Sequence, residues 1–147
     1  MKRANVKTLR LSVETTSAGL LKRTGSDHKI GALAKAVESL EKAGYRRNEL
    51  DSYLLIGLPG QTREEIEESV KIVASLGIRS HFSYFSPIPG TALWKDMAAG
   101  GRVHDDEDPL LHNKILFPYR GWSITPEALV ELKRMQNGFN QSANTSR

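Results

Sequence analysis

The chain has 147 residues, enough for one domain with a real core, and its 39% hydrophobic and 26% charged content is that of a folded, water-exposed protein. No apolar run approaches the roughly 20 residues that span a bilayer, and the opening Met-Lys-Arg-Ala-Asn lacks the apolar centre of a secretion signal, so a cytoplasmic location is the expectation. Cysteine is absent, which excludes disulfides, thiolate nucleophiles and cysteine-bound metals; the net charge of +4 is scattered rather than gathered in a stripe, which disfavours nucleic acid.

Residues 7–14 alternate, with Leu9, Leu11 and Val13 on one side and Thr8, Arg10, Ser12 and Glu14 on the other. That period of two predicts a strand with one apolar and one polar face. A short helix should follow over 15–24, with Ser17 as its cap, Leu20 and Leu21 as packing residues and Gly25 as its stop. Asp27 is a candidate N-cap for a helix from about Lys29 to Ala43, where Ile30, Leu33, Val37 and Leu40 recur at helical spacing and Gly44 ends the run. Arg46–Asp51 reads as a polar connector.

Tyr53–Ile56 is a short apolar run of the kind found in strands covered on both faces. Gly57, Pro59 and Gly60 end it in a tight turn, and Thr62 with Glu65 forms a capping box that starts a helix over 63–76. Strand, glycine turn and helix start in that order predict backbone amides exposed at the strand's C-terminal end, where ligands of α/β sheets bind. The turn is neither a P-loop nor a dinucleotide fingerprint, since no Lys-Ser/Thr follows the second glycine and the Gly-x-Gly-x-x-Gly spacing is missing. Gly57-Leu-Pro-Gly60 also matches the bare GxxG of KH domains, which clamps a nucleic-acid backbone. The carboxylates Glu64, Glu65, Glu67 and Glu68 suit a solvated helix start more than a metal site.

A third strand is expected over 78–85, broken by Ser86-Pro-Ile-Pro-Gly-Thr91, after which Thr91 can cap a short helix through Trp94 and Met97. The order so far is βαβαβα, with crossovers long enough for parallel pairing. Beyond Gly100-Gly101 come an acidic loop, His104–Asp108, with His112 near it, read as solvated rather than metal-binding; an apolar arm over 115–122; and a helix that starts at Thr125-Pro126-Glu127, ends near Gly138 and leaves Gln141–Arg147 frayed. The division expected is 1–100 and 101–147, the second part having no assigned role.

Four pieces in this order carry a resemblance: Leu11–Ser17 with Leu20–Gly25, Glu41–Gly44, Ile56–Thr62 with Glu64-Glu65, and Ser83–Thr91. Together they resemble the second half of a radical S-adenosylmethionine (radical SAM) core, in the cobalamin-dependent and methylthiotransferase-like branch, over Leu9 to Trp94. The resemblance implies an α/β fold: a partial (β/α) barrel fragment of three parallel strands, the fourth to sixth of six, with helices outside and a C-terminal helical extension. It implies a cofactor, S-adenosylmethionine, whose cleavage at a 4Fe-4S cluster yields a 5′-deoxyadenosyl radical, with cobalamin a further cofactor of the full-length protein. Ser12 and Glu14 then fall where fourth-strand polar groups contact S-adenosylmethionine. Ile56, Gly57, Gly60 and Gln61 would flank its adenosyl group through the backbone, and Ser86 and Pro87 would border the adenine. Gln61 stands where many relatives have Glu.

The family's three cluster cysteines, spaced CxxxCxxC, and its first three strands have no counterpart here. The expectation is therefore a fragment, inactive by itself, whose missing N-terminal half comes from the same gene or another chain. Two other readings stay open: a non-catalytic α/β interaction module, and the GxxG nucleic-acid binder, which requires a helix directly before Gly57.

Overall fold

A computed structural model describes residues 2, 5–13, 15–24, 30–104, 106, 108 and 124–145. Within it, β1 (Leu9–Val13), β2 (Leu50–Ile56) and β3 (Arg79–Tyr84) form one sheet in the order β1-β2-β3, and both pairings are parallel. The connections carry α1 (Ala18–Thr24) and α2 (Ile30–Lys42) between the first two strands, and α3 (Arg63–Ser75) between the second and third. After β3 come α4 (Ala92–Ala99) and α5 (Pro126–Thr145). This is an open α/β sheet of three parallel strands with helices, as expected of a partial (β/α) fragment.

The strands' period of two decides which side is packed. Leu50 and Leu54 of β2 are buried among Val37 of α2 and Val70 and Val73 of α3, with Leu9, Leu11 and Val13 beside them. Ile56 continues the same face into a second cluster with Ile66, Ile124, Leu129 and Leu132. The intervening residues point the other way: Arg10 and Ser12 are exposed, and Tyr53, His81 and Ser83 stay partly accessible. Tyr53 and Leu55 are only half-buried, so β2 is packed on one face rather than on both.

The helix boundaries follow the local chemistry. Thr62 accepts a hydrogen bond from the Glu65 amide while the Glu65 carboxylate accepts from the Thr62 amide, so the capping box at α3 is complete. At α4 the Thr91 hydroxyl accepts from the Trp94 amide, and at α5 the Thr125 hydroxyl accepts from the Ala128 amide. Two elements differ from expectation. The Arg46–Asp51 connector holds a 3₁₀ turn, Arg47–Glu49, and its last two residues already belong to β2. The C-terminal helix passes through Gly138 and continues to Thr145 because its end has a docking partner. There the Asn140 side chain accepts from the Ser80 amide at 2.9 Å and donates to the Ser80 carbonyl at 2.8 Å, closing the side of β3 that β2 leaves unpaired. A glycine costs a helix interior only about 1 kcal/mol, which such docking outweighs.

Asp27, Gly25, His112 and the 115–122 arm lie outside the described residues, as does Glu14.

Candidate functional site

Because the strands are parallel, their C-terminal ends share one rim of the sheet, and most of the sequence-predicted contacts gather there. Ser12, next to last in β1, stands exposed on the uncovered face, opposite Tyr53 in register. Ile56 ends β2 with its side chain in the core and its carbonyl accepting from the Phe85 amide at 2.8 Å. Gly57 and Gly60 take φ of 88° and 75°, a left-handed backbone that only glycine adopts without strain, and the chain turns sharply at the rim. Ser86, half-buried, and Pro87, buried, follow β3 on the same rim.

Gln61 has a role the sequence did not reveal. It is 1% exposed, and its carboxamide folds back under the turn. Its Oε1 accepts from the Gly57 amide at 2.8 Å and the Leu58 amide at 3.3 Å, and its Nε2 donates to the Leu55 carbonyl at 3.1 Å. The two amides expected to be open to a ligand are thus satisfied internally. The rim presents a turn of backbone and glycine rather than an anion cradle.

The loop between β1 and α1 is fastened to α3 beside this rim. The Ser17 hydroxyl donates to Glu65 Oε1 at 2.6 Å, and the Thr16 and Ser69 hydroxyls lie 2.8 Å apart. Ser17 also accepts from the Leu20 amide, which starts α1. Residues that flank the β1 end are therefore held by the same helix that the glycine turn opens.

At the opposite, N-terminal end of the uncovered face is a second polar group that sequence reasoning missed. Asp51, Arg10 and Arg79 sit side by side in register. Asp51 is 3% exposed; its Oδ1 accepts from Arg79 Nε at 2.7 Å, and its Oδ2 lies 3.8 Å from Arg10 Nε and 3.4 Å from His81 Nε2. Arg10 also donates to the Tyr53 hydroxyl at 2.8 Å. The signal was available: alternation carried back from Tyr53 through Asp51 puts the carboxylate on the Tyr53 side.

Among the described residues no group of His, Asp and Glu is arranged to hold a metal ion, and no helix is long and apolar enough to cross a membrane. A strand, not a helix, runs directly into Gly57, which is not the setting of a KH loop.

No family model matches the chain. It is 32% identical over 82 residues to a tRNA-2-methylthio-N(6)-dimethylallyladenosine synthase of Anaplasma phagocytophilum, covering 55% of this chain and 18% of that protein. It is 34% identical over 106 residues to the heme chaperone HemW of Bacillus subtilis, covering 71% of this chain and 27% of HemW. It is 30% identical over 84 residues to the threonylcarbamoyladenosine tRNA methylthiotransferase MtaB of Thermotoga maritima, covering 56% and 19% respectively. The chain thus spans about a fifth to a quarter of the length of these relatives, all of them radical SAM proteins. With three parallel strands in the order β1-β2-β3 and sequence shared over about half its length or more, the chain is a homologue of these radical SAM proteins.

Proposed function

We propose that this chain supplies the S-adenosylmethionine-contacting half of a radical SAM barrel, and that β1, β2 and β3 are its fourth, fifth and sixth strands. The observation that carries this reading is a parallel sheet with one face packed by helices and the other open and polar, ending in a glycine turn. A nucleoside cofactor fits such a rim. Ser12 offers a hydroxyl on the open face, and Glu14, outside the described residues, would supply a carboxylate for ribose or amino-group hydrogen bonds. With the Gly57 and Leu58 amides held by Gln61, the Ile56–Gly57 and Gly60–Gln61 backbone would serve as a flat wall for the adenosyl group. Ser86 and Pro87 would border the adenine.

The iron–sulfur cluster does not fit this chain, which has no cysteine to supply a thiolate. In the proposed assembly its ligands come from an N-terminal half-barrel, in the same gene or another chain, and this chain is inactive without it. When bound together, cofactor and cluster supply reductive cleavage to a carbon radical; these residues bind and orient the nucleoside. Cobalamin is proposed only as a further cofactor of the full-length protein. The proposed setting is cytoplasmic.

Titration of the isotope-labelled chain with S-adenosylmethionine, followed by amide NMR, tests the reading. Saturable shifts at Ser12, Gly57, Gly60 and Ser86 are expected. No saturable shift at several millimolar, or shifts confined to α2 and α3, overturns it. Anaerobic treatment with iron and sulfide should yield no 5′-deoxyadenosine from this chain, and its formation would refute the division of labour.

A further inference from the structure

The mechanism proposed above leaves the N-terminal end of the open face unused. Asp51 and Ile56 are five residues apart in β2, which at about 3.3 Å per residue puts this end roughly 16 Å from the rim. Here Thr8, Arg10, Asp51, Arg79 and His81 line an open groove of about 590 Å³.

We propose that this groove binds a small oxyanion, a phosphate or carboxylate group, between Arg10 and Arg79. Charge is the first argument. Two arginines and one aspartate leave a formal surplus of +1 on the groove wall. Donor capacity is the second. Arg79 spends its Nε on Asp51, and among the described residues its two terminal nitrogens make no hydrogen bond, which leaves one edge of the guanidinium fork for a ligand. Such a fork matches two oxygens of a carboxylate or phosphate at once. Among the described residues the shielded His81 Nε2 has no hydrogen-bond partner; at 3.4 Å from Asp51 its geometry does not make that bond.

The groove is also built rather than incidental. Asp51 is 3% exposed and fixes Arg79 from below, while Tyr53 holds Arg10 by its hydroxyl, with the guanidinium 5.5 Å from the ring centre. Both arginines are therefore oriented before a ligand arrives, which reduces the entropy lost on binding. This inference does not depend on the cofactor reading, because it uses none of the rim residues.

The test is an NMR titration of the side-chain Nε–H groups of Arg10 and Arg79 with sodium phosphate, sodium acetate and sodium chloride at equal ionic strength and pH. Saturable shifts with phosphate or acetate, absent with chloride, are expected, and the tighter of the two names the source. Arg10→Gln, at an exposed position, should weaken binding about tenfold through loss of one charge-assisted contact. Asp51→Asn removes the negative charge beside the groove and keeps an oxygen that can accept from Arg79 Nε, so it should tighten anion binding by about threefold or more. A groove that holds only its own ion pairs predicts the contrary: equal, unsaturated shifts in all three salts, or affinity unchanged by Arg10→Gln. Either result overturns the proposal. Amide spectra of each variant check the fold, and Arg10→Gln alone suffices if Asp51→Asn fails to fold.

Discussion

The carboxamide of Gln61 lies beneath Gly57 and accepts its amide proton at 2.8 Å, so the turn that ends β2 is held by a side chain four residues further on. Three hydrogen bonds converge on this one buried group. Gln61→Ala should cost about 2–4 kcal/mol, since it leaves buried amides and a carbonyl without partners. Gln61→Glu keeps the acceptor for both amides, but only its protonated form can donate to the Leu55 carbonyl, so its cost should fall as the pH is lowered. Urea unfolding gives the two values, and hydrogen exchange at Gly57 should speed up in the alanine variant first.

Asn140 gives a second prediction. Its amide pairs with both backbone groups of Ser80, so Asn140→Ala should destabilise the protein by about 1–3 kcal/mol, while Asn→Ala at the neighbouring exposed Asn137 should stay within about 0.5 kcal/mol. Paired thermal melts of the two variants measure the difference.

The core prediction is a matter of cavity. Leu54 is 1% exposed between α2 and α3, and Leu54→Ala should cost about 2–5 kcal/mol. Ser12→Ala, on the exposed face, should leave stability within about 0.5 kcal/mol yet weaken S-adenosylmethionine binding in the titration described above.

Acid should loosen the connection before β2. Arg47 donates to both carboxylate oxygens of Glu41 and to the Leu76 carbonyl, tying the end of α2 to the end of α3. The hydrogen bonds from Arg47, aided by its charge, hold the Glu41 carboxyl below its usual value. Glu49 is lowered too, first by the Arg46 amide and then by Lys2. A carboxyl lowered in the folded state adds stability above its unfolded pKa and loses it as pH falls through the folded one. The melting temperature should therefore drop below the ordinary carboxylate range, and Glu41→Gln should flatten that limb. Both residues are surface groups, so added salt should shrink the effect.

How much of this was legible in the sequence depends on whether a residue's partner is local. The capping box at Thr62 and Glu65, the Thr91 cap and the β1 alternation involve neighbours a few positions apart, and each appears in the fold as expected. The face that Asp51 takes could be read from alternation, but its partner could not, because Arg79 lies 28 residues away and meets it only through strand register. The extent of α5 was hidden for the same reason: Asn140 finds Ser80 across 60 residues, and Gly138 taken locally suggests a stop. The Gln61 contacts are local, but a buried carboxamide under a glycine turn has no periodicity to announce it.

The bonds between Asn140 and Ser80 also give the sheet a direction of growth. One flank is sealed by a side chain that imitates a neighbouring strand, whereas β1, among the described residues, pairs on one side only. A strand added alongside Leu9–Val13 meets no such contact among the described residues, whereas a partner that offered itself to Arg79–Tyr84 would first have to displace Asn140 from Ser80.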